Sequence, residues 1–256
     1  MKKNLLCVLL CVVSFPAFAG KNDQWIDCGL SGSFNNTWLF NPNVFKDKSM
    51  KYDISFGFTA GGKLGFNFSE IVAVVAGCDY STFSQKYVSY TALWKSQVNM
   101  AYLEIPLLLR ITSGFSYYEV GPKMALLKSA TSAFSSATPS VSSPDYSGAD
   151  VANQFNTSSF GLILGCGSTL WGSGGLAVST GLRLSYMFTD IINATGGKGK
   201  DYTYIEGSGT TAKSVSLPYA ATNPFSVGIM VNLDYDLGYV VTSSCKRSRK
   251  FMFFGH

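Results

Sequence analysis

Histidine is all but missing: the chain's one imidazole belongs to His256. Acyl transfer from a serine hydroxyl needs a neighbouring base, most often histidine, so the body of the chain is expected to be non-catalytic. Charge is scarce as well, at 14% of residues. Without Lys2 and Lys3 the chain holds 18 lysines and arginines against 15 acids. Four of those cations, Lys246, Arg247, Arg249 and Lys250, cluster near the C-terminus. The remainder is close to neutral, which excludes the basic footprint of a nucleic-acid-binding protein. Beyond residue 20 there is no apolar run of the ~20 residues that a membrane-crossing helix needs. The six cysteines include no C-x-x-C pair and no Cys/His spacing of a metal site, and no cofactor is expected.

What the chain does have begins with "MKKNLLCVLLCVVSFPAFAG". Two lysines, an apolar stretch from Leu5 to Val13 and the small-x-small ending Ala17-Phe18-Ala19 predict a secretory signal peptide over 1–19. Cys7 and Cys11 fall within it. Cys28, Cys78, Cys166 and Cys245 lie beyond it. Three of them sit inside strand patterns as small hydrophobes, so no disulfide framework is expected. The chain then divides into a β-domain over 20–242 and a basic, aromatic tail over 243–256.

Glycine (26), phenylalanine (19) and tyrosine (14) are abundant, and a two-residue period repeats along the chain. In "YLEIPLLLRI" (102–111), Leu103, Ile105, Leu107, Leu109 and Ile111 fall on one face of a strand. Tyr102, Glu104, Pro106, Leu108 and Arg110 fall on the other. A helix here would hold Pro106 in its interior at a cost of ~3 kcal/mol. The same split of oily and small-polar faces predicts strands over about 24–34, 52–68, 71–82, 98–112, 116–128, 157–171, 175–190 and 225–235. Short turns near Ser69-Glu70, Ser113-Gly114-Phe115 and Gly172-Ser173-Gly174 alternate with long connections over 35–51, 83–97, 129–156 and 190–223. That alternation predicts an all-β fold, an eight-stranded antiparallel up-and-down barrel with short periplasmic turns and long extracellular loops.

The second face decides where the oily one points. A water-soluble barrel would carry charge outside, but here that face is mainly Gly, Ser, Ala, Thr and Asn. A lipid-facing exterior around a small, polar interior fits better, which places the chain in the outer membrane with lipid as its first partner. Pro106 lacks an N–H in a barrel where every strand has two neighbours, so a broken pairing or bulge is expected there.

Nine charged residues take interior positions: Asp27, Lys63, Asp79, Glu104, Arg110, Glu119, Lys123, Arg183 and Asp234. An eight-stranded barrel is only wide enough for its own side chains, and ions there need partners. An interlocking network joining Glu104 and Glu119 with Arg110 or Lys123 is expected, acting as a plug; a narrow conducting path is the alternative. Trp25, Tyr117, Tyr118 and Trp171 lie at the short-turn ends, with Trp38 and Trp94 at the other, positions suited to interfacial girdles. The tail's Lys246, Arg247, Arg249 and Lys250 could contact a periplasmic partner, and the long loops an external one.

"YLEIPLLLRI", followed by "YYEVGPKMALL" (117–127), "FGLILGCGSTL" (160–170) and "GLRLSYMFTDI" (181–191), resembles the PorT-like outer-membrane β-barrel family of Bacteroidota. In that family a Tyr-Leu-Glu-Ile-Pro-Leu-Leu-Leu strand precedes a Gly-Pro-containing one. The resemblance spans nearly all of the chain beyond the signal and departs from it after Val241, where "TSSCKRSRKFMFFGH" follows. It implies a barrel in the outer membrane. It also implies a second role as an accessory of a secretion machine, since the family's namesake takes part in type IX secretion.

Overall fold

The computed structural model describes residues 24–89, 93–136, 145–206 and 213–241. The expected signal peptide over 1–19 and the expected tail over 243–256, with its four cations, lie outside them. Twelve strands follow in order: β1 (Gln24–Phe40), β2 (Lys51–Asp53), β3 (Phe56–Asn67), β4 (Val72–Ser89), β5 (Trp94–Ser113), β6 (Ser116–Ser136), β7 (Tyr146–Asp150), β8 (Ser158–Ser173), β9 (Leu176–Met187), β10 (Tyr202–Glu206), β11 (Lys213–Leu217) and β12 (Asn223–Val241). Eight of these form a closed antiparallel ring, β1-β3-β4-β5-β6-β8-β9-β12, with β12 pairing back onto β1. Closure removes every free edge, so each backbone group in lipid has a partner within the ring.

The eight strands fall where the two-residue period places them. Their faces follow the same alternation. Along β5, Ile105, Leu107 and Ile111 are exposed on the outside, while Tyr102, Glu104, Pro106 and Leu108 are buried inside. Phe34, Phe58, Leu64, Leu164, Leu182, Ile229 and Val231 extend the exposed apolar surface around the ring, as lipid requires. Cys78 and Cys166 are exposed on it and Cys28 is half-buried, all three as free thiols.

The connections differ from expectation at one end. Residues 83–89 and 94–97 are not loop but continuations of β4 and β5, paired from Phe83↔Met100 to Ser89↔Trp94. Residues 129–136 likewise prolong β6. The long connection expected over 83–97 is therefore a hairpin whose sides stand above the rim. Their outward residues are mostly polar and of low apolar periodicity, which is why they read as loop. Residues 35–40 prolong β1, and a five-residue helix, α1 (Pro42–Lys46), follows, its first turn capped by the Asn41 side chain on the Asn43 N–H at 2.9 Å. Within 190–223 lies the hairpin β10-β11.

At Pro106 the ladder is broken without a bulge. On the β4 side, pairing stops at Asp79↔Glu104 and resumes at Ala76↔Leu107 in unchanged register. The proline ring occupies the gap because Gly77 has no Cβ, which would stand 2.9 Å from Pro106 Cγ. The bulge along β5 lies elsewhere and on its other side, at Ala101/Tyr102 against β6, where Lys128 is the extra residue.

Candidate functional site

The interior is layered, and its charges come first. Lys63 Nζ reaches Asp234 at 2.8 Å. Arg110 lies between Glu119, at 2.8 Å, and Asp234, at 3.9 Å. Arg183 contacts the other oxygen of Glu119 at 3.3 Å and Asp79 at 3.8 Å, and Asp79 accepts a hydrogen bond from Ser31 Oγ. Six residues from six strands thus form one chain, Lys63-Asp234-Arg110-Glu119-Arg183-Asp79. Lys123 and Glu104 form a separate pair at 2.7 Å, and Asp27 accepts from Asn67 Nδ2 at 2.7 Å. Glu104, Glu119, Lys123 and Asp79 are each at least 95% shielded from solvent.

Sequence reading did not find what makes room for these groups. Four of the five interior acids lie directly across from a glycine on the neighbouring strand: Asp27↔Gly65, Asp79↔Gly61, Asp234↔Gly29 and Glu119↔Gly165. A Cβ on Gly61 or Gly65 would stand 2.2 Å from the facing carboxylate oxygen. The signal is present in the sequence as glycines on the interior face, but it becomes legible only once the register pairs each with its acid. Uncharged partners were also missed. Asn232 Nδ2 donates to Tyr117 Oη and Ser179 Oγ, both at 3.2 Å.

Tyr117 therefore does not belong to an aromatic girdle. It is buried inside the barrel, 5.2 Å beneath the Arg110 guanidinium, because its parity in β6 matches that of Glu119. Trp25 also takes the interior side, since it lies across from Asn67 and cross-strand partners share a face; its ring rests on Tyr239 at the short-turn end. Tyr118 and Trp171 stand on the outer face, exposed. Trp38 stacks on Phe225, whereas Trp94 lies above the rim against Phe134.

Toward the long-loop end the polar interior gives way to an apolar layer of Leu39, Phe83, Met100, Tyr102, Phe155, Met187 and Ile191. Phe155 and Ile191 come from the segments after β7 and β9, which fold over the mouth. A bridge joins Phe155 to Ile192, and Asn193 Nδ2 donates to the Phe155 carbonyl at 2.9 Å. Asp190 accepts from the backbone N–H of Thr222 and of Ile192, both at 3.1 Å, and from the Tyr219 hydroxyl. On the opposite side Tyr52 donates to the Leu39 carbonyl at 2.9 Å and accepts from Asn41 N–H, and burial pushes its hydroxyl up to about 12. Tyr202 donates to Asp47 at 2.7 Å, and burial together with that carboxylate raises its pKa far above the ordinary value. The cap is a folded structure held by side-chain hydrogen bonds rather than a set of independent loops.

The family model described as "Outer membrane protein beta-barrel domain" matches residues 21–193. No curated protein matches the chain. Among solved structures, it is similar to Neisserial surface protein A at 11% identity, covering 81% of this chain and 96% of that one with a TM-score of 0.40. It is similar to OprG of Pseudomonas aeruginosa at 11% identity, covering 82% and 95% with a TM-score of 0.37. It is also similar to Ail, the attachment invasion locus protein of Yersinia pestis, at 11% identity, covering 84% and 100% with a TM-score of 0.33. With the family model spanning well over half of its length, the chain belongs to the outer membrane protein β-barrel domain family and resides in the bacterial outer membrane.

Proposed function

We propose that the protein is a plugged, non-catalytic barrel that holds a folded extracellular cap in place for structural or binding purposes. The observation that carries this reading is the filling of the lumen. The void among Ser31, Lys63, Asp79, Glu119 and Arg183 is about 10 Å³, at the lower limit for a single water. Above it, Phe83, Met100, Tyr102, Met187 and Ile191 are each at least 97% buried. The small void and the buried apolar layer above it are what support a plug over a conducting path.

The mature protein inserted in planar bilayers is expected to show no stepwise conductance. Unitary steps from the unmodified protein that change with Arg110→Ala would overturn the plug and favour a narrow channel. The role as a secretion accessory, which the PorT-like resemblance implies, makes a separate prediction. A deletion strain that keeps its secreted cargo but loses a surface-binding phenotype supports the cap as the working part. Loss of secreted cargo would favour the secretion role, with the tail at Lys246, Arg247, Arg249 and Lys250 as its periplasmic contact.

A further inference from the structure

The outward face of β4, β5 and β6 changes character within one step on each strand. Tyr80, Leu103 and Leu126 form one cross-strand row, and the next outward row is Thr82, Ala101 and Ser129. Beyond it come Ser84, Asn99 and Thr131, then Lys86, Gln97 and Ala133. A wall that faces lipid hydrocarbon therefore continues upward as a hydroxyl- and amide-bearing wall. At this point it holds a cleft of about 400 Å³, lined by Thr82, Ser84, Lys86, Gln97, Asn99 and Thr131, with Phe56 among the apolar residues of its lining.

The cleft's polar side chains are ordered by one another. Ser84 Oγ donates to Asn99 Oδ1 at 2.7 Å, and Gln97 Nε2 donates to the same oxygen at 2.7 Å and to Ser84 Oγ at 3.1 Å. Lys86 is the charged residue of the cleft's lining, and Lys95 and Lys128 lie on the same strands beside it. Asp53 is the cross-strand partner of Lys86 and Asp150 that of Thr131, on the flanking strands β2 and β7.

We propose that this cleft holds the phosphorylated saccharide headgroup of an outer-leaflet glycolipid. A lipid whose chains lie on Leu103, Leu107 and Tyr80 has its headgroup at the cleft by geometry alone. Fixed hydroxyls and amides suit sugar hydroxyls, and the Lys86 ammonium suits a phosphate. The site lies on the outer wall, apart from the lumen, and does not depend on whether the lumen conducts.

The test uses the mature protein folded in detergent micelles, titrated with bis-phosphorylated lipid A and read by native mass spectrometry. Retention of one lipid A is expected, weakened about tenfold by removing its phosphates and by a similar factor in Lys86→Gln and in Asn99→Leu. Each variant is first shown to keep the heat-modifiable gel mobility of the folded barrel. The proposal is overturned if lipid A is not retained, if phosphatidylglycerol is retained equally well, or if both folded variants bind lipid A as the unmodified protein does.

Discussion

Lys123 and Glu104 show how an ion pair constrains a barrel of this width. At 2.7 Å and almost wholly shielded from solvent, each depends on the other to offset its desolvation. Lys123→Met leaves the Glu104 carboxylate without its partner and is expected to cost about 3–5 kcal/mol. The double variant Lys123→Met with Glu104→Gln removes both charges and should recover most of that loss. Urea titrations scored by heat-modifiable mobility would check this, and a double variant no better than the single would mean that the pair acts through packing. Glu119 differs because it serves both Arg110 and Arg183. No single compensating change removes both of its partners.

At the scale of elements, the interior glycines set how closely neighbouring strands can bring their side chains together. Gly77→Ala would place a methyl against the rigid ring of Pro106, since the added Cβ falls 2.9 Å from Cγ. Overpacking of this kind costs about 1–3 kcal/mol, and the double variant with Pro106→Ala should relieve it, again read from the urea midpoint. The strands themselves were legible in the sequence because lipid outside and side chains inside impose a strict alternation that no other arrangement of 102–111 satisfies. The upper parts of β4, β5 and β6 were not, because above the membrane both faces meet polar surroundings and the alternation loses its contrast. Tyr117 was misplaced for a related reason. Two adjacent tyrosines at a strand end look alike in sequence, and only the parity inherited from Glu119 sends the first inward.

For the whole molecule, the height of the apolar belt decides what is membrane and what is surface. A lysine scan along the outward side of β5 measures that height directly. Leu107→Lys and Ile105→Lys, on side chains now exposed to lipid, are expected to cost about 2–4 kcal/mol if they lie near the bilayer midplane, falling to about 0–1 kcal/mol close to an interface. Asn99→Lys and Gln97→Lys, on the polar rows above, should fold in vesicles almost as the unmodified protein does. The profile should therefore drop between Leu103 and Asn99, the same step at which the outward rows turn from apolar to polar. A cost at Asn99 equal to that at Leu107 would place the cleft inside the hydrocarbon, where a sugar headgroup could not lie. A cost already absent at Ile105 would put the belt too low for a lipid on Leu103 to bring its headgroup to the cleft. Either profile would remove the outer-wall site while leaving the proposal of a plugged lumen untouched.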